Sequence, residues 1–161
     1  SNNPIIFFEP KRRYHEKGDV DHTRQPIPLH QARVAALGKD VTLLTYGPMV
    51  RTCLDAAKIA AEEGTSIEVV DLRSLSPLDM GTILGSARKT RRVVVVHEAQ
   101  RTLGLGAELA ARVTEDCFFH LEAPVLRVTG FDTPYPPSRV EDDFLPNVDR
   151  VLDAVDQALA Y

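Results

Sequence analysis

Residues 93–113, VVVVHEAQRTLGLGAELAARV, hold the change of period that decides the fold. Val93 to Val96 is the most apolar run in the chain and lacks the polar alternation of a half-solvated strand, so it reads as a strand buried on both faces and placed centrally in a sheet. Leu105, Leu109, Ala110 and Val113 then recur at helical spacing, so a helix opens near Gly104-Leu105-Gly106.

The alternation continues in both directions. Upstream, Val41 to Tyr46 is apolar and β-branched and is closed by Gly47-Pro48, which suits a parallel strand meeting a helix with proline in its first turn. Val50, Leu54, Ala57 and Ala61 give that helix its apolar stripe, and Gly64 can end it. Ile67 to Leu72 is the next strand, and Asp79 is placed to cap a helix carrying Ile83, Leu84 and Ala87 on one face. Downstream, Val125 to Val128 reads as a strand. After the proline-rich turn at 134–137, Val148, Val151, Leu152, Val155 and Leu159 form an amphipathic helix with Asn147 as its cap. Strands alternating with helices predict an α/β fold of three layers, α/β/α, with a mostly parallel sheet of about five strands.

The first residues do not fit this pattern. Ser1-Asn2 reads as a scar of tag removal, Ile5 to Phe8 as a short apolar strand, and residues 9–28, rich in charge, histidine and proline, as a linker. The domain proper is expected over 29–161. A chain of 161 residues can bury one core, since a domain of this size hides roughly 70% of its unfolded surface.

Composition excludes several classes of function. A formal charge of −4 argues against a nucleic-acid partner, whose phosphates require a basic face, and the runs Lys11–Arg13 and Arg88–Arg92 read as solvated surface. Cys53 and Cys117 lack the spacing of a zinc or redox pair and read as buried thiols in a reducing cytoplasm. No stretch approaches the roughly 20 apolar residues of a membrane span.

The motifs that could carry chemistry are few. Gly104-Leu105-Gly106 lies where backbone amides could meet a phosphate, but Leu109 occupies the third glycine position of the dinucleotide fingerprint. His97-Glu98 begins like a zinc-protease helix, but Arg101 stands in place of the second histidine. The pair lies at the carboxyl end of a strand, where open sheets place ligands, so a binding role and a purely structural role both stay open. His15, His22, His30 and His120 are scattered singly, and no nucleophile elbow, P-loop or metal-ligand cluster is present.

Taken in order, IFFEPK at 6–11, DVTLLTYG at 40–47, VVDLRSLSPLD at 69–79, VVVVHEA at 93–99 and LEAPVLRVTGFDTPYP at 121–136 make the chain resemble the C-terminal domain of transketolase-like proteins. The resemblance is closest to the beta subunit of the decarboxylase component of 2-oxo acid dehydrogenase complexes. FFEPK and GFDTPYP point to the branched-chain (2-oxoisovalerate) type. It implies oxidative decarboxylation of branched 2-oxo acids with acyl transfer to lipoamide in a full assembly that uses thiamine diphosphate and magnesium. Ile5 to Phe8 would be the last strand of a preceding thiamine-binding domain, so the resemblance implies no catalytic, cofactor-binding or metal residue in this chain and no activity by it alone. The implied partners are an alpha subunit, a second beta subunit and the acyltransferase's subunit-binding domain, with no nucleic acid and no membrane, in the cytoplasm. Glu122, in LEAP, and Tyr161 match positions used for acyltransferase docking in related complexes, although Glu122 could equally be an ordinary loop carboxylate. Phe131 and Tyr135 could meet a neighbouring subunit or close the domain's own core. The same domain of a pyruvate or acetoin dehydrogenase, or an autonomous ligand-binding α/β domain using the 97–106 loop, remains as an alternative.

Overall fold

The computed structural model describes residues 2–10, 14, 15, 17–19, 22, 23 and 27–161. The basic run Lys11–Arg13 and part of the 9–28 linker lie outside the described residues. In chain order the elements are β1 (Arg33–Ala36), β2 (Val41–Thr45), α1 (Met49–Glu62), β3 (Ile67–Asp71), α2 (Met80–Thr90), β4 (Val93–Gln100), α3 (Leu105–Cys117), β5 (Leu126–Gly130), a single turn α4 (Glu141–Phe144) and α5 (Val148–Leu159).

One five-stranded sheet has the order β1-β3-β2-β4-β5. β2 pairs in parallel with β3 and β4, and β4 with β5, while β1 alone runs antiparallel, against β3. The α/β class and the largely parallel sheet are as the sequence predicts, with two differences in detail. The Val93–Val96 run is an interior strand, but β2 holds the middle position. The fifth strand, which the sequence left unassigned, is β1, while Ile5–Phe8 pair with no strand among the described residues and are 75–87% exposed. β1 was not readable because Arg33–Ala36 is four residues long, alanine-rich and broken by a register shift between Val34 and Ala36.

Alternation along each buried strand feeds two cores, one on each face. Val41, Leu43, Val69, Val94, Val96 and Val128 pack with α1 and α5; Leu44, Val70, Val93 and Val95 pack with α2 and α3. Pro48 stands at the start of α1, and Gly64, at φ 92°, turns the chain out of its end. Asp79 Oδ1 accepts from the Thr82 amide at 3.2 Å, and Asn147 Oδ1 accepts from the Arg150 amide at 2.9 Å, so both expected caps form. Cys53 and Cys117 are buried and form no disulfide, and burial pushes the Cys53 thiol up to about 12.

Candidate functional site

The carboxyl end of the sheet is where the sequence offered a ligand site, and there His97 and Glu98 separate. Adjacent strand residues point to opposite faces. His97, 1% exposed, turns beneath α3 and lies near-parallel to Tyr46, with ring centroids 6.0 Å apart. Its Nε2 accepts the Gly106 amide proton at 3.0 Å, so the neutral ring carries its own proton on Nδ1. Burial holds the imidazole below its ordinary pKa; the Ala99 backbone pulls the other way, and the charge of Arg127 adds to the depression.

This contact explains both glycines. A Cβ on Gly106 would lie 2.4 Å from His97 Nε2, and one on Gly104 would lie 2.2 Å from the Gln100 carbonyl oxygen and 2.9 Å from His97 Cε1. The Gly-Leu-Gly turn therefore lets α3 settle on the histidine, and the Gly106 amide at the helix start is occupied by it.

Glu98 faces the other side, in a cleft of about 600 Å³ lined with Pro48, Arg51, Asp55, Asp142 and Asp143. The cleft lies between the ends of β2 and β4, where the strand order reverses and open sheets place ligands. Its lining is predominantly acidic, and among the described residues no group of three or more His, Cys, Asp or Glu is arranged to hold a metal ion.

At the opposite, amino end, the parallel strands place the segments preceding β4 and β5 side by side. The Glu122 amide donates to the Arg91 carbonyl at 2.9 Å, and its carboxylate pairs with both Arg91 and Arg92. Arg92 also donates through Nε to the carbonyl of Ala158 at 3.0 Å. Glu122 is thus tied through Arg92 to the end of α5, and Tyr161, 72% exposed, lies just beyond.

Next to Glu122, Phe118 and Phe119 leave the end of α3 with their rings 5.4 Å apart at 85°, exposed at 64% and 96%. Phe118, Leu121, Ala123 and Pro124 border an apolar depression of about 590 Å³ beside α3. Sequence reading singled out Glu122 and Tyr161 but missed the arginines and the phenylalanines around them. The Arg91–Arg92 pair read as plain surface because the adjacency of β4 and β5 that delivers it to Glu122 is visible only in the sheet.

Phe131 and Tyr135 meet the domain itself. Both rings make edge contacts with Phe144, at 6.1 and 5.2 Å, and Arg150 lies 4.7 Å over Phe131, though each ring stays about half exposed.

Fold and surface together define a three-layer α/β domain with Glu122 and the exposed Phe118 and Phe119 at the amino end of its sheet. Residues 30–151 match the family described as transketolase, C-terminal domain, and the chain belongs to that family. Over all 161 residues it is 53% identical to the pyruvate dehydrogenase E1 component subunit beta of Leifsonia xyli subsp. xyli, covering 48% of that protein. Over 158 residues, 98% of the chain, it is 52% identical to the 3-methyl-2-oxobutanoate dehydrogenase subunit beta of Mycobacterium tuberculosis, covering 45% of it. A solved structure of a split-gene transketolase, described as an inactive beta4 tetramer, superposes with a TM-score of 0.74 at 30% identity, over 89% of this chain and 46% of that one. The chain spans just under half the length of these curated relatives.

Proposed function

We propose that the chain is the C-terminal assembly and docking domain of a beta subunit in a thiamine diphosphate-dependent 2-oxo acid dehydrogenase, of the branched-chain type. In this reading the full assembly decarboxylates branched 2-oxo acids oxidatively and passes the acyl group to lipoamide, and the domain by itself is inactive. Its partners are an alpha subunit, a second beta subunit and the acyltransferase's subunit-binding domain. The beta-subunit relatives support the reading at the level of 2-oxo acid dehydrogenases. Relatives named for pyruvate and for 3-methyl-2-oxobutanoate stand at nearly equal identity, so the branched-chain assignment rests on the FFEPK and GFDTPYP wording.

Thiamine diphosphate and magnesium do not fit the residues described here. No group of three or more His, Cys, Asp or Glu is arranged among them to hold a metal ion, and the Gly106 amide at the start of α3 is taken by His97. The proposal therefore assigns the cofactors to the part of the assembly outside this chain.

The observation that carries the docking role is the joining of Glu122, the Phe118–Phe119 step and the approach to Tyr161 at one end of the sheet. A basic partner must compete for Glu122 with Arg91, 56% exposed, and with Arg92, which the Ala158 carbonyl retains. Calorimetric titration with a branched-chain acyltransferase subunit-binding domain, at low and high salt and with the solution mass of the chain recorded, tests this. Binding that weakens with salt and with Glu122→Ala, and tightens a few-fold with Arg91→Ala at low salt, is the expected result. No binding by a dimeric chain would overturn the docking role. Substrate profiling of the assembled alpha and beta subunits separates branched 2-oxo acids from pyruvate.

A further inference from the structure

The outer edge of the sheet carries a cationic cleft that neither the docking surface nor the His97 packing uses. β5 ends the strand order, so one side of its backbone has no neighbouring strand, which leaves peptide groups open unless something covers them. The carbonyls of Arg127 and Thr129 stand two residues apart and share a direction. Arg101 Nη1 donates to the first at 3.2 Å, and Arg150 Nη2 to the second at 2.5 Å. Arg127 completes an exchange through Nη1 to the Arg101 carbonyl at 3.1 Å. Arg150 is fixed further by the Phe144 carbonyl at 3.4 Å and by the Phe131 ring beneath it.

Arg101, Arg127 and Arg150 line one cleft of about 280 Å³, with Asp153 and Gln157 of α5 along its wall. Their hydrogen-bond partners are neutral carbonyls, and among the described residues none of the three forms an ion pair. Asp132 lies within reach of the Arg101 charge, but its carboxylate accepts from Thr102 N and Oγ1 at 2.8 and 2.7 Å. A guanidinium has five N–H donors, and these bonds use one on Arg101, one on Arg127 and two on Arg150. Three cations therefore face one aspartate in a cleft of a chain whose formal charge is −4.

We infer that this cleft is an oxyanion site for the phosphate group of a small phosphorylated molecule. Phosphate is favoured over carboxylate by the number of acceptors. A single guanidinium fork fills both carboxylate oxygens, whereas a phosphate presents three strong acceptors to three arginines. The strand carbonyls that these side chains seal also hold them in place, so binding requires little further ordering.

Pyrophosphate is the probe. The 161-residue chain is titrated with it, and separately with malonate, at constant ionic strength, while NMR follows the amides of residues 126–130 and 150–157. Saturable shifts are expected with pyrophosphate, and weaker binding with malonate. Arg127→Gln should raise the Kd about tenfold, the loss of one charge-assisted contact. Asp153→Asn, at an exposed helix position, should lower it several-fold by removing the opposing charge without touching the core. Absence of saturable shifts, unchanged affinity in both variants, or malonate binding as tight as pyrophosphate would each overturn the assignment.

Discussion

At 1% exposure the His97 ring has no solvent to satisfy it, so its hydrogen bond from Gly106 and its place against Tyr46 define the start of α3. Gly106→Ala drives a methyl to within 2.4 Å of Nε2, and such overpacking should cost about 1–3 kcal/mol in urea unfolding. Adding His97→Ala removes the clash, so the two substitutions should be less than additive; simple additivity would refute the contact. The same ring makes stability depend on pH. Unfolded histidine takes up its proton near pH ~6.5, whereas burial lowers the folded value. The unfolded chain thus binds more protons in the window below ~6.5, and the contribution of His97, fully present above it, is lost as pH falls toward the folded pKa. The urea midpoint of the native chain should fall between pH 7.5 and 5 more steeply than that of His97→Gln; equal slopes would contradict the account. The sequence marked His97 as notable but left ligand and structural roles open, because which face of a strand end is buried depends on the helix laid over it.

Among the elements, the two helix caps differ in what they hold. Asn147 serves α5 alone, so Asn147→Ala should cost about 1 kcal/mol. Asp79 caps α2 and, through Oδ2, also accepts from the Ala32 amide at 3.0 Å and from Thr82 Oγ1 at 2.8 Å. Its carboxyl is pushed up by burial and drawn down further by the bonds from Thr82 and Ala32, which leave it below the usual carboxylate value. Asp79→Ala should therefore cost about 2 kcal/mol, a cap and a tether together, with the larger drop in Tm on calorimetry. Equal losses in the two variants would show that the tether to the entry of β1 is idle. Both caps were legible, since an Asp or Asn before an apolar stripe is a local signal; the tether, spanning 47 residues, was not.

At the scale of the whole molecule, Arg92 joins three segments: its own approach to β4, Glu122 before β5, and the carbonyl of Ala158 in α5. Arg92→Ala should cost about 1 kcal/mol and selectively speed amide exchange at residues 158–161, because the end of α5 loses its fastening to the sheet. Unchanged exchange there would separate Tyr161 from the Glu122 surface and weaken the docking proposal. By itself the sequence determined what repeats at short range: the periods of four of the five strands and of the four long helices, their caps, and the wording that ties residues 30–151 to a family. The tertiary structure alone decided which distant residues meet, namely Gly106 with His97, the two arginines with Glu122, and the guanidiniums of Arg101 and Arg150 with the edge of β5. The physical reason is that hydrophobic spacing specifies which face of an element is buried, whereas strand order and helix placement specify what that face is buried against.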